Sequence, residues 1–199
     1  GIIDLKPFYL SADFNYEGLS TKNFINEDSI FIDLINSEIL NNKNLSANIN
    51  LKIKDITNMK ELNNLFLKTS IEEGDIDFSD SYIMWKEDLK IILNESLLTL
   101  DDDGINLVGT VILEFRDIDN FYSSFQIKKI NRKDIKKIQL DFIYNFNSKS
   151  LKFDNPRINN KQNSEVDEFL NIFNSNEDRV FNKITFKNFI NDFFRAYPG

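Results

Sequence analysis

The chain has 199 residues, 41% of them hydrophobic and 19 of them Phe, with a formal charge of −8. Its pI is near 4.7, which argues against nucleic acid, a partner met by basic patches or stripes. It contains no Cys and no His, which removes thiol and imidazole nucleophiles, His bases and most zinc or copper sites. No metal, cofactor or catalytic residue is expected. Asn, Lys, Ile and Phe are prominent together, a set that fits an AT-rich coding bias, so Asn richness is discounted as a functional signal.

Taken in order, Leu10, Ala12, Phe14 and Tyr16 alternate with Ser11, Asp13, Asn15 and Glu17. This pattern predicts a half-buried strand ending at Gly18 and Ser20. Asn26, Glu27 and Asp28 open a predicted helix to about Ile35. Leu45 to Ile53 is a second strand, with Leu45, Ala47, Ile49, Leu51 and Ile53 on one face. Asn58 and Glu61 have the spacing of a capping box, so a short helix is expected to about Leu67.

A meander follows. Thr69–Glu73 and Asp75–Ser79 flank the turn residue Gly74. Ser81–Trp85, Leu89–Leu93 and Ser96–Leu100 continue it. Asp101-Asp102-Asp103-Gly104 then predicts a hairpin. Ile105 to Phe115 comes next, with Ile105, Leu107, Gly109, Val111, Leu113 and Phe115 on one continuous face. It spans roughly 35 Å, long for a globular strand. Phe121–Ile127 and Ile138–Phe146 are the last long strands expected. Between them lie Lys128, Lys129, Arg132, Lys133, Lys136 and Lys137. Leu151 and Phe153 sit in a short strand ending at Pro156. The tail reads as two helices, one from a Ser164–Asp167 capping box through Phe173 and one from Thr185 through Tyr197, separated by a polar break at Asn174–Asp178. The whole is expected to be one β-rich unit, 1–199, with a helical tail at 164–199.

The candidate sites each have a bland counterpart. The Asp101–Gly104 run does not make a calcium loop, because Thr99 and Thr110 would occupy positions that require Asp and Glu. Pairs such as Glu72 with Glu73, or Asp75 with Asp77, are expected by chance among 32 acidic residues. Asn44-Leu-Ser46 and Asn94-Glu-Ser96 match a glycosylation pattern that an Asn-rich chain also yields by chance. The basic stretch from Lys128 to Lys137 suits either anionic headgroups or plain solvent. The long apolar strand faces either close on one another as a core or stay open to a ligand. No run of apolar residues is long enough for a membrane-spanning helix.

Several stretches, in order, resemble the C-terminal region of bacterial AsmA-like proteins. They are Ile71-Glu-Glu-Gly-Asp-Ile-Asp-Phe-Ser-Asp-Ser81, Trp85-Lys-Glu-Asp-Leu-Lys-Ile91, Ile105-Asn-Leu-Val-Gly-Thr110 and Phe121-Tyr-Ser-Ser-Phe-Gln-Ile127. Leu140-Asp-Phe-Ile-Tyr-Asn145 and Phe194-Arg-Ala-Tyr-Pro-Gly199 complete the series, so the resemblance covers roughly residues 35–199. Members of that family are relatives of bridge-like lipid transfer proteins, held in the inner membrane by an N-terminal helix with the rest periplasmic. The resemblance implies an α+β fold, mainly β, in which a long curved antiparallel sheet makes an open, taco-like gutter with helices at its ends. It implies phospholipid transport to the outer membrane, or maintenance of that membrane, without catalysis. The implied partners are a phospholipid or other acyl lipid, the membrane through an N-terminal anchor missing from this chain, and envelope proteins. The chain starts at Gly1 rather than Met and is read as a fragment of a longer protein.

An acyl carrier needs apolar length and little polar specificity, since each CH₂ left in water costs about 0.8 kcal/mol. The expected lining is Ile49 and Leu51, Ile91 and Leu93, then Leu107, Val111, Leu113 and Phe115, and finally Leu140 and Phe142. The alternative expectation is a closed β-rich structural or interaction domain of the cell envelope with no lipid cargo.

Overall fold

The computed structural model describes residues 1–5, 8–20, 43–57, 59–101, 104–175 and 183–199. Most of the alternating sequence is strand: β1 (Ile2–Leu5), β2 (Phe8–Leu19), β3 (Leu45–Ile56), β4 (Leu62–Glu72), β5 (Asp75–Asp77) and β6 (Tyr82–Trp85). Then come β7 (Leu89–Asp101), β8 (Gly104–Phe115), β9 (Lys137–Asn145), β10 (Ser150–Ile158) and β11 (Lys161–Gln162). The described helices are α1 (Ile118–Phe125), α2 (Ser164–Asn174) and α3 (Lys183–Ala196). The fold is α+β and mainly β, as expected. The sheet is mixed rather than wholly antiparallel, because β2 and β3 pair in parallel from Phe8↔Leu45 to Leu19↔Ile56. Parallel neighbours need a crossover connection, and the helix expected at Asn26–Ile35 falls there, outside the described residues.

Two compact units are present: Gly1–Lys86 with Ile92–Thr99, and Glu87–Ile91 with Leu100–Gly199. No linker separates them in sequence, since the division falls inside β7.

In the first unit β3 pairs antiparallel with β4, and β4 with both β5 and β6. Glu73 and Gly74 turn β4 into β5 with φ of 54° and 95°, the two positive values of the tight hairpin turn that suits strand twist. A helix was expected from Asn58 to Leu67; Leu62–Leu67 is instead the start of β4, and Asn58 lies outside the described residues. Asn64 has φ 48°, and the β4–β6 register shifts between Asn63 and Phe66. That bulge breaks the alternation, so Leu62, Leu65 and Phe66 acquire a spacing that imitates a helix. Similarly, β7 is one strand of 13 residues where two were expected. Glu95 at φ 48° interrupts its pattern.

In the second unit β8 pairs with β9 and β9 with β10, all antiparallel. The expected strand Phe121–Ile127 is mostly α1. Asp117 caps it, accepting from the backbone N–H of Asp119 and Asn120 at 2.9 and 3.4 Å. Gln126 closes it in the left-handed region. Phe121 and Phe125 are four apart, on one helical face. β10 does not stop at Pro156 but passes through it. The register shifts between Asp154 and Arg157 there, and a bulge is where a strand tolerates a residue with no N–H to donate. The tail helices form as expected, with α2 capped one residue early by Asn163, whose side chain accepts from Val166 N at 2.9 Å.

Those helices carry the second unit's core. Val166, Leu170 and Phe173 of α2 are buried. At its end, the Asn174 amide donates to Phe153 O at 2.8 Å and accepts from Phe153 N at 3.1 Å, which ties the helix to β10. Phe189 of α3 stacks on Phe153 with ring centres 5.1 Å apart. Phe194 meets Tyr122 of α1 edge-on at 5.0 Å.

Candidate apolar binding face

The first unit has two chemically opposite faces. Residues paired across neighbouring strands share a face, so the pairings of β2, β3 and β4 assemble four rows. They are Leu10/Ala47/Ile71, Ala12/Ile49/Thr69, Phe14/Leu51/Leu67 and Tyr16/Ile53/Leu65. Only Thr69 and the Tyr16 hydroxyl bring polar atoms to this set of side chains. Ala47, Ile53 and Ile71 are buried, while Ile49, Leu51, Leu65 and Leu67 are half-buried. On β2, Phe14 is 45% and Tyr16 50% exposed. Among the described residues of this unit no helix lies over the face.

The other face is polar and closed by cross-strand pairs. The Asn50 amide donates to Asp13 Oδ1 at 2.9 Å, Lys54 Nζ to Glu17 at 3.4 Å and the Asn48 amide to the Tyr9 hydroxyl at 3.4 Å. A depression of about 380 Å³ is lined there by Lys52, Lys54, Asn64, Phe66 and Tyr82, among others. Lys52 Nζ lies 5.8 Å from the centre of the Phe66 ring. Lys68 Nζ is 2.7 Å from Asp80. That hydrogen bond and the carboxylate's charge raise the lysine pKa, so the side chain is a stable ammonium and a poor base. Asp77 is engaged in a turn, accepting from Ser79 N and Oγ. Among the described residues no group of three acidic side chains is placed to hold a metal ion.

The expected lining residues divide between the units. Ile49, Leu51 and Leu93 lie in the first unit, and Ile91, Leu107, Val111, Leu113, Phe115, Leu140 and Phe142 in the second. In the second, Val111 pairs with Leu140, Gly109 with Phe142, and Phe142 in turn with Phe153. Leu140 and Phe142 are buried, on the face that carries Phe153 and the tail helices. Phe115 packs against Phe121 of α1 at 5.3 Å. Leu107, Val111 and Leu113 are half-buried. The face of the first unit gains residues that were not among the expected lining: Phe14 and Tyr16 of β2, and Leu65 and Leu67 of β4. The alternation from Leu65 through Ile71 was the signal for the last two, hidden by the bulge before it.

Comparison with protein-family models, characterised proteins and solved structures gives no match for this chain. The geometry of the face therefore carries the functional argument.

Proposed function

We propose that the protein is a lipid-binding module that shields acyl chains on the apolar face of β2, β3 and β4. The observation that carries this reading is the graded exposure of that face, from buried Ile53 to half-exposed Phe14 and Tyr16. Large apolar side chains in a contiguous exposed set mark a binding surface. From Leu10 to Tyr16 the face runs about 20 Å along the strand. One leaflet of a bilayer's hydrocarbon core is roughly 15 Å thick, so the run suits one extended acyl chain. The resemblance to AsmA-like proteins supports the same reading. It extends the proposal to phospholipid transfer within a bacterial cell envelope, on the periplasmic side of the inner membrane, with no catalytic step.

The test is native mass spectrometry of the purified chain, with lipid extraction alongside. Acyl lipid should co-purify, and Leu51→Glu should lower its occupancy while the circular dichroism spectrum stays unchanged. Absence of lipid from the wild type, after exposure to phospholipid vesicles as well, overturns the carrier reading. Unfolding of the Leu51→Glu chain overturns it too, because a buried unpaired charge is what a closed core rejects.

A further inference from the structure

We propose that the turn from Lys128 to Lys137 is a membrane-contact element that seats the protein on an anionic lipid surface. In a chain of net charge −8, these ten positions hold six basic residues against one acid, Asp134. Lys128, Lys129 and Lys136 are exposed. Among the described residues neither they nor Lys133 makes an ion pair. Between the first two lysines and Arg132 stands Ile130, 80% exposed, the highest value among the described large hydrophobic residues.

The turn is held in shape from below. Ile127 and Ile135 are 2% and 1% exposed, so they peg its two ends into the core. The Tyr122 hydroxyl donates to Lys133 O at 2.8 Å and accepts from Lys133 N at 3.1 Å. Arg132 Nε donates to Ile127 O at 3.0 Å. Lys129–Asn131 is one turn of 3₁₀ helix, with Asn131 N bonded to Lys128 O at 2.9 Å. The apex therefore presents Ile130 without needing it for folding. A solvated loop gains nothing from an isoleucine there. An interfacial element does, since its apolar residue enters the headgroup–acyl boundary while the cations meet lipid phosphates. Nucleic acid fits less well, because single strands are held by aromatic stacking rather than by an aliphatic side chain.

The inference does not rest on the carrier reading, and one experiment separates the two. Sedimentation of the full chain with vesicles compares phosphatidylcholine alone with a mixture containing about one-third phosphatidylglycerol, an anionic surface of the kind that attracts polybasic segments. Binding should require the anionic lipid and weaken at high salt, which screens exposed charges. K128Q/K129Q should lower affinity about 25-fold, near fivefold for each charge. I130S keeps the charge and should lower it about tenfold by removing the buried apolar surface. Both variants should fold as wild type and keep the wild-type lipid occupancy in native mass spectrometry. Equal binding to both vesicle types, or none, overturns the proposal. So does I130S binding like wild type, and so does equally tight binding to an oligouridine that ignores the Ile130 substitution.

Discussion

Tyr122 concentrates much of the second unit's local order in one side chain. It is 1% exposed, meets Phe194 edge-on, and clamps both polar atoms of the Lys133 backbone. Burial pushes its phenol up to about 12, partly offset by the hydrogen bond its oxygen accepts from the Lys133 backbone N–H. A folded pKa above the unfolded value of about 10 means that the stability is fully present below pH 10 and is lost as pH rises towards 12. Urea unfolding should therefore show wild type losing stability over that window more steeply than Tyr122→Phe, which has no phenol to ionise. At neutral pH the same substitution should cost about 1–3 kcal/mol, since it leaves buried backbone groups without their partner. Equal pH dependence in the two proteins would refute this account. Little of the arrangement was legible in advance. Phe-Tyr-Ser-Ser-Phe-Gln-Ile suits either period, and the deciding residue is Asp117, whose carboxylate caps the helix from outside the apolar pattern.

At the level of elements, legibility followed continuity of phase. β2, β3, β8 and β9 alternate without interruption, and each appears within a few residues of its expected bounds. β4, β7 and β10 contain Asn64, Glu95 and Asn155, all with positive φ. Each local slip hid a strand, split one or truncated one. The tail helices were readable because Phe169, Leu170 and Phe173, then Phe189, Ile190, Phe193 and Phe194, recur at helical spacing. What covers what was not readable, since only the fold brings Phe189 of α3 onto Phe153 of β10 and Phe173 of α2. Phe189 is 4% exposed, so Phe189→Ala should destabilise by about 3–5 kcal/mol. Its melting temperature and near-ultraviolet dichroism should both fall, because one ring serves three elements. Ile172→Ala on the same tail is the control. That side chain is 66% exposed, and its loss should stay within about 0.5 kcal/mol. Similar effects for the two would mean the aromatic cluster is not what holds the tail.

Across the whole molecule, buried apolar side chains are unevenly shared. Among the described residues the first unit buries Ala47, Ile53, Ile56, Ile71, Ile76, Phe78 and Trp85, and the second buries more than twice as many. Alternation in the sequence shows that a strand has an apolar face. It does not show whether that face is covered, because cover comes from residues far away in the chain. Hence Leu140 and Leu51 look alike in sequence and differ in burial. Low apolar burial means a low free energy of local opening, so amides of β2, β3 and β4 should exchange with deuterium faster than those of β9 and β10 in lipid-free protein. A ligand that binds only the closed, native arrangement adds stability by mass action, about 2.7 kcal/mol at a hundred times its dissociation constant. If acyl chains lie on this face, loading with phospholipid should slow exchange in β2–β4 by up to about a hundredfold, by the same relation. Exchange in β9, β10 and α2 should change little. Uniform slowing, or none, would mean that the face is sealed by the protein itself. Slowing confined to Lys128–Lys137 would place the lipid at the basic turn rather than along the strands.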